Sequence, residues 1–154
     1  MTPDQLAVLK RLLLALLLGG SLGIERGLQR KAAGARTHMM VALGSALLTL
    51  LSIRLPVLLA RGDIDPGRIA AQIVTGVGFL GAGSILHSGG SVRGLTTAAS
   101  IWLASAIGMA SGAGFYSGAI LATLLGLFVL LAEHLHERFG PGGGDRPPTE
   151  RGEL

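Results

Sequence analysis

The chain has 154 residues, of which 49% are hydrophobic and only 14% are charged. Soluble domains of this size carry a larger share of charged residues, so the composition predicts an integral membrane protein. The net charge of +4 is too small and too dispersed for a nucleic-acid-binding surface. The absence of cysteine excludes a disulfide framework, a thiolate nucleophile and a cysteine-based metal site.

The first apolar segment begins after Lys10 and Arg11 and runs to Ile24, an order that imitates a secretory signal. A signal would continue with a short polar region ending in small residues, whereas Glu25 and Arg26 follow directly here. We therefore interpret this segment as the first membrane span.

Five segments are long and apolar enough to cross a bilayer, whose hydrocarbon core takes about 20 residues of helix. They cover residues 6–24, 38–60, 69–87, 95–112 and 115–133. The connections are short, including a loop over 88–94 and a tight turn near 111–116. The predicted fold class is an all-α membrane bundle of about five helices with glycine-rich packing. We place the transmembrane domain at 1–135 and a disordered cytoplasmic tail, rich in proline and glycine, at 136–154.

Lysine and arginine residues in the short loops predict the orientation of the chain. An odd number of spans puts the two termini on opposite sides. With the loop after the first span inside, eight basic residues are cytoplasmic and four lie outside, Arg54 being counted on neither side. We therefore expect the N-terminus outside and the C-terminus in the cytoplasm. Lys10 and Arg11 would favour the opposite orientation if the first span did not cross completely.

Small residues recur at helical spacing in three spans and define faces that another helix can approach closely. The three sets are Ala71, Thr75, Gly78 and Ala82; Ser100, Ala104, Gly108 and Gly112; and Gly118, Ala122 and Gly126. Packing within one bundle and binding of a partner both explain such faces. The candidates for the packing or partner face are Gln72, Gly76, Gly78, Phe79, Gly81, Gly83 and Trp102. Gln72 stands apart because an amide in lipid needs a hydrogen-bonding partner.

The sequence predicts no cofactor, no metal site and no catalytic centre. Gly76, Gly78 and Gly81 have the spacing G-x-G-x-x-G, but they lie inside an apolar span and no acidic residue follows before Glu133. A dinucleotide site is therefore not expected. A Mg²⁺ site needs converging carboxylates, and none lies within the spans. No loop offers a nucleophile beside a base.

A polar cluster is expected where three helix ends meet at the cytoplasmic border. This border cluster comprises Glu25, Arg26, Arg36, Thr37, His38, Arg93, Thr96 and Thr97. We expect Thr37 to cap the second span and Thr96 or Thr97 to cap the fourth. We also expect Glu25 to pair with Arg36 or Arg93, because a carboxylate near lipid needs compensation. Anchoring at the bilayer surface without specific pairing is the alternative.

Three segments together resemble the hydrophobic domain of the MgtC/SapB family: GGSLGIERGLQRKAAGARTHMMVALGSALL, DPGRIAAQIVTGVGFLGAGSIL and VRGLTTAASIWLASAIGMASGAGFY. The resemblance covers residues 10 to 132. The family pattern falls on Gly23, Glu25, Arg26, Gly34, Arg36, Thr37, His38, Arg68, Ala71, Gln72, Gly76, residues 78–83, Arg93, Gly94, Thr96, Thr97 and Trp102.

The resemblance implies a multi-pass protein of the bacterial inner membrane and a regulator rather than an enzyme. Virulence-associated members of the family are linked to growth in low Mg²⁺, survival in macrophages and restraint of the ATP synthase. The partner so implied is the ATP synthase. The apolar spans predict contact with membrane lipids, and the small-residue faces predict binding of another membrane protein or of a second copy of the chain. Since the soluble carboxyl-terminal domain of longer members is absent, a role that depends on it is not expected. The alternative is a transporter or channel for Mg²⁺ or another small solute.

Overall fold

Five α-helices account for most of the structure, a computed structural model that describes residues 2–88 and 91–139. They are α1 (Pro3–Leu28), α2 (Ala35–Leu58), α3 (Gly67–Gly83), α4 (Leu95–Ala113) and α5 (Tyr116–Phe139). The all-α bundle predicted from the sequence is confirmed. Residues 140–154, most of the predicted tail, lie outside the described residues.

Among the described residues, α1, α2 and α4 are each long and apolar enough to cross a membrane. Helix α3 has 17 residues, and the apolar part of α5, Tyr116–Ala132, is equally short. Seventeen residues rise about 26 Å, slightly less than the hydrocarbon core. The third span was predicted to reach residue 87, and this boundary is wrong because α3 ends at Gly83. Four glycines weaken the helix after Thr75, and the Ser84 hydroxyl donates to the Gly81 carbonyl, 2.7 Å away, where α3 stops.

The segment that was predicted as a loop over residues 88–94 forms part of an antiparallel hairpin. Strand β1 (Leu86–Ser88) pairs with β2 (Ser91–Arg93), with Leu86 opposite Arg93. Gly94 follows with a φ of +90°, and a Cβ there would overlap the carbonyl oxygen of Ser84. Only glycine fits at this position. The close contact between Gly94 and Ser84 brings the end of α3 next to the start of α4.

The centre of the bundle is the contact between α2 and α4, whose backbones touch. A Cβ on Gly108 would lie 2.8 Å from the Cα of Ala42, and one on Gly112 would lie 2.9 Å from the Cα of Ala46. The packing face predicted at Ser100, Ala104, Gly108 and Gly112 is therefore confirmed, since all four are buried. The hydroxyls of Ser45 and Ser105 also meet across this interface at 2.8 Å.

Helices α1 and α5 pack against this centre. A Cβ on Gly23 of α1 would lie 2.6 Å from the Cα of Ala35, so α1 and α2 also touch through their backbones. Helix α5 buries Ala119, Thr123 and Leu130. The predicted α5 face is confirmed at Gly126, where a Cβ would lie 2.5 Å from Leu103.

Successive helices run in opposite directions, so their termini gather at two ends of the bundle. At the N-terminal end, Asp4 pairs with Arg54, and the Ser52 hydroxyl donates to the carbonyl of Pro66. The opposite end, called the border end below, holds the C-terminus of α1, the N-termini of α2 and α4, and the hairpin. The border cluster lies there.

Candidate functional site

The structure divides the border cluster into a buried centre and an exposed rim. Four members are buried: Glu25, Arg26, His38 and Thr97. Arg26 is the largest fully buried side chain among the described residues, at 1% exposure. Thr96 is half-buried, and Arg36, Thr37 and Arg93 are exposed. A buried carboxylate, guanidinium and imidazole so close to a membrane span mark this centre as a functional candidate.

The expected pairing of Glu25 with Arg36 or Arg93 is wrong. Glu25 instead accepts a hydrogen bond at Oε1 from the Gln29 side chain at 2.5 Å, and its Oε2 lies 3.9 Å from Arg26 Nη1. Both contacts come from residues within about one turn of Glu25, in α1 or at its C-cap. The exposed arginines lie on other elements.

The expected threonine caps are also wrong. The N-cap residues of α2 and α4 are Gly34 and Gly94, and neither helix has a side-chain cap. Gly34 lies against α1, where a Cβ on Gly23 would be 2.8 Å from the Gly34 carbonyl oxygen. Close approach and a positive φ require glycine at position 94, whereas a Cβ at Gly34 would make only ordinary contacts at 3.6 Å or more. Thr37, Thr96 and Thr97 lie inside the first turns of their helices.

His38 connects α2 to α4 at the buried centre. Its Nδ1 lies 2.9 Å from the Gly34 carbonyl, and its Nε2 lies 3.0 Å from the hydroxyl oxygen of Ser100. Ser100 Oγ is in turn 2.8 Å from the Thr97 carbonyl. Sequence reasoning missed Ser100 as a partner of the histidine. The available signal was spacing, because His38, Ala42 and Ser45 recur at helical spacing on α2, as Ser100, Ala104 and Gly108 do on α4.

Arg11 is a second residue whose role the sequence did not reveal. Its Nη1 donates to the Gly112 carbonyl at 2.8 Å, near the C-terminus of α4. The last carbonyls of a helix have no partner within it and carry partial negative charge, so a cation there is favourable. Arg11 therefore joins α1 to the end of α4, a contact between residues 101 positions apart.

The predicted packing or partner face separates into two parts. Gly81 is buried, and a Cβ there would meet Ala98 of α4 at 3.6 Å. The other members are exposed: Gln72, Gly76, Gly78, Phe79, Gly83 and Trp102. A Cβ added at Gly76, Gly78 or Gly83 would meet nothing within 4 Å. The small residues of α3 are thus left open, whereas those of α4 are covered.

Four of these residues form one surface, which we call the outer face of α3: Gln72, Gly76, Phe79 and Gly83. They recur at helical spacing, opposite the buried Ile73, Val77 and Gly81. Phe79 is 81% exposed. The exposed side of α5 is different, because it presents bulky apolar residues such as Leu125, Phe128 and Val129. Bulky side chains suit contact with lipid, whereas glycines and an amide suit contact with a helix.

A groove of about 550 Å³ runs between α2 and α3 beside this outer face. Its lining is apolar, with Ser45 and Gln72 as the polar exceptions. Gly44 and Gly76 lie on its two walls. Within the described residues, no group of three or more histidine, cysteine, aspartate or glutamate side chains could hold a metal ion. The groove is therefore suited to an apolar surface rather than to a bare cation.

Comparison with known proteins places the chain in a family. The profile of the MgtC family matches residues 12–139. The chain is 42% identical to an uncharacterized protein of Haemophilus influenzae, over 89% of this chain and 60% of that protein. It is 46% identical to the Escherichia coli protein named "Putative magnesium transporter YhiD", over 80% of this chain and 59% of that protein.

A third relative is the protein named MgtC of Brucella abortus, 49% identical over 60% of this chain and 37% of that protein. The chain thus spans about 60% of the length of the first relatives and less of this one. No solved structure matches the chain. The matched residues include α1 from Leu12 onward and all of α2, α3, α4 and α5. The chain is a membrane protein that belongs to the MgtC family.

Proposed function

We propose that this chain is a membrane regulator that acts by binding another membrane protein along the outer face of α3. The observation that carries the proposal is the open space at Gly76 and Gly83, the two glycines of that face. Glycine lowers the helix propensity of a span by about 1 kcal/mol per residue, so these two open glycines weaken α3 without any packing gain in the monomer. A partner helix lying on them would supply that gain.

The residues around the glycines support the same proposal. Gln72 needs a hydrogen-bonding partner in lipid, and the described residues provide it with no hydrogen bond through its side chain. Phe79 is an exposed aromatic residue on the same face, and aromatic residues are enriched in the cores of interfaces. Gln72 and Phe79 thus offer one polar and one aromatic contact beside the glycines.

The partner proposed from the family resemblance is the proton-translocating ATP synthase of the bacterial inner membrane. The test is ATP-driven proton pumping in inverted membrane vesicles with and without the chain. We expect the chain to reduce pumping and Gly76→Leu to relieve the reduction, because a leucine would fill the surface on which the partner helix lies. The buried centre is unaffected by this change, since Gly76 has open space around it.

The matched control is Ala99→Leu, which adds the same bulk at an exposed position of α4 away from the outer face. It should leave the reduction of pumping intact. If pumping is unchanged by the chain, the ATP synthase is not its target. If both variants relieve the reduction equally, the outer face of α3 is not the binding surface.

A second candidate function is transport of Mg²⁺, favoured by the printed name of the Escherichia coli relative. The groove between α2 and α3 would be the path, with Ser45 and Gln72 as its polar lining. A single chain offers no described carboxylate cluster to such a path. Uptake of Mg²⁺ into liposomes that contain the purified chain, compared with Gln72→Leu liposomes, tests this function.

A further inference from the structure

The buried centre of the border cluster holds an imidazole whose hydrogen bonds depend on its protonation. His38 is completely buried, and both ring nitrogens lie within hydrogen-bond distance of an oxygen. The Gly34 carbonyl only accepts, so Nδ1 carries a proton in every state. Nε2 can either accept a hydrogen bond from the Ser100 hydroxyl or, when protonated, donate one to it.

Ser100 has one hydroxyl proton and two neighbours that compete for it. Its oxygen lies 2.8 Å from the Thr97 carbonyl and 3.0 Å from His38 Nε2. When the imidazole is neutral, the hydroxyl donates to Nε2 and not to Thr97. When Nε2 carries a proton, Nε2–H donates to Ser100, and the hydroxyl turns to donate to the Thr97 carbonyl. The same positions of the heavy atoms thus accommodate both states.

We propose that His38 and Ser100 form a proton-binding site that takes up one proton from water at the border end. The proton adds to Nε2, the hydroxyl proton of Ser100 turns from Nε2 to Thr97, and the charge of the site rises by one. The direction of the hydrogen bond between α2 and α4 reverses. This inference does not depend on the identity of any protein partner.

Groups from two neighbouring helices surround His38. From α1 the charged neighbours are Glu25 and Arg26. From α4 the neighbours are Ser100 and Thr97, which carry no charge. Glu25 is buried, and its Oε2 accepts no hydrogen bond from the described residues.

The test is solid-state NMR of the full chain in lipid vesicles between about pH 8 and pH 4.5, the range in which histidine titrates. Ring ¹⁵N signals of His38, identified by their loss in His38→Gln, report the protonation of Nε2. The Thr97 carbonyl can be observed alone, because residues 97 and 98 are the only Thr-Ala pair in the sequence. Labelling threonine with ¹³C at the carbonyl and alanine with ¹⁵N selects this one peptide bond.

We expect the His38 ring and the Thr97 carbonyl to titrate with the same midpoint. In Ser100→Ala the ring should still titrate while the Thr97 signal stays constant, whereas Ser45→Ala, a matched hydroxyl removal on the same interface, should leave both titrations intact. If Ser100→Ala does not fold, the coupled titration of the unaltered chain still decides the question. A ring that stays neutral while the chain remains folded, or a Thr97 signal that ignores the ring, would overturn the proposal.

Discussion

Replacing glycine by alanine should have opposite effects on stability at Gly108 of α4 and at Gly44 of α2. Gly108 lies against the Ala42 backbone, so a methyl group there would force the two central helices apart. We expect Gly108→Ala to lower the free energy of unfolding by about 1–3 kcal/mol, the usual cost of overpacking. Unfolding of the purified chain by sodium dodecyl sulfate, followed through the single tryptophan, Trp102, measures this.

Gly44→Ala is the matched control for this prediction. It makes the same substitution within a helix, but a Cβ at Gly44 meets nothing within 4 Å. The gain in helix propensity should then raise the free energy of unfolding by up to about 1 kcal/mol. Equal effects of the two alanines would mean that α2 and α4 are not in backbone contact at Gly108.

The residues of the border cluster show what a sequence can and cannot predict at this scale. Glu25, Arg26 and His38 stood out because ionisable groups beside apolar runs are rare. Their partners did not stand out, since Gln29 and Ser100 are ordinary polar residues in helices. Long-range attraction suggested Arg36 or Arg93 for Glu25, but a side chain one turn away along α1 reaches the carboxylate first.

At the scale of elements, Arg11 joins two helices that are distant in the sequence. A hydrogen bond from a charged donor contributes about 1.5–3 kcal/mol, and part of this is offset by the half-exposed position of the side chain. We expect Arg11→Met to lower the free energy of unfolding by about 1–2 kcal/mol. The adjacent Lys10 is exposed, so Lys10→Met should have little effect in the same unfolding measurement. Equal losses from the two changes would show that Arg11 contributes only its charge.

The helices were predictable because a membrane requires long apolar segments, and all five predicted spans correspond to observed helices. The hairpin was not, because its strands have three residues each and show no useful alternation. The sequence also did not indicate which small-residue faces are buried and which are exposed. Ala71, Thr75, Gly78 and Ala82 look like Ser100, Ala104, Gly108 and Gly112, yet α3 leaves its set exposed and α4 buries its set. Spacing defines a face, but it does not say which helix covers it.

At the scale of the whole molecule, the structure has a well-packed part and an open part. Helices α1, α2 and α4 touch through backbone at several glycines, whereas α3 buries only Ile73, Val77 and Gly81. The proposed proton site lies in the packed part and the proposed partner surface in the open part. Helix α4 contacts His38 through Ser100 and the buried side of α3 through Ala98, so it is one element by which one site would influence the other.

The orientation of the bundle remains a prediction, and the chain suits a direct test because it contains no cysteine. The turn between α2 and α3 belongs to the N-terminal end, and the turn between α1 and α2 belongs to the border end. Gly62 and Ala32 are exposed positions in these two turns. Since basic residues concentrate at the border end, the positive-inside rule puts Ala32 in the cytoplasm. In intact cells a membrane-impermeant maleimide should therefore label Gly62→Cys and should label Ala32→Cys only after the membrane is disrupted. The reverse pattern would place the border cluster outside, and the proton taken up at His38 would then come from the external solution.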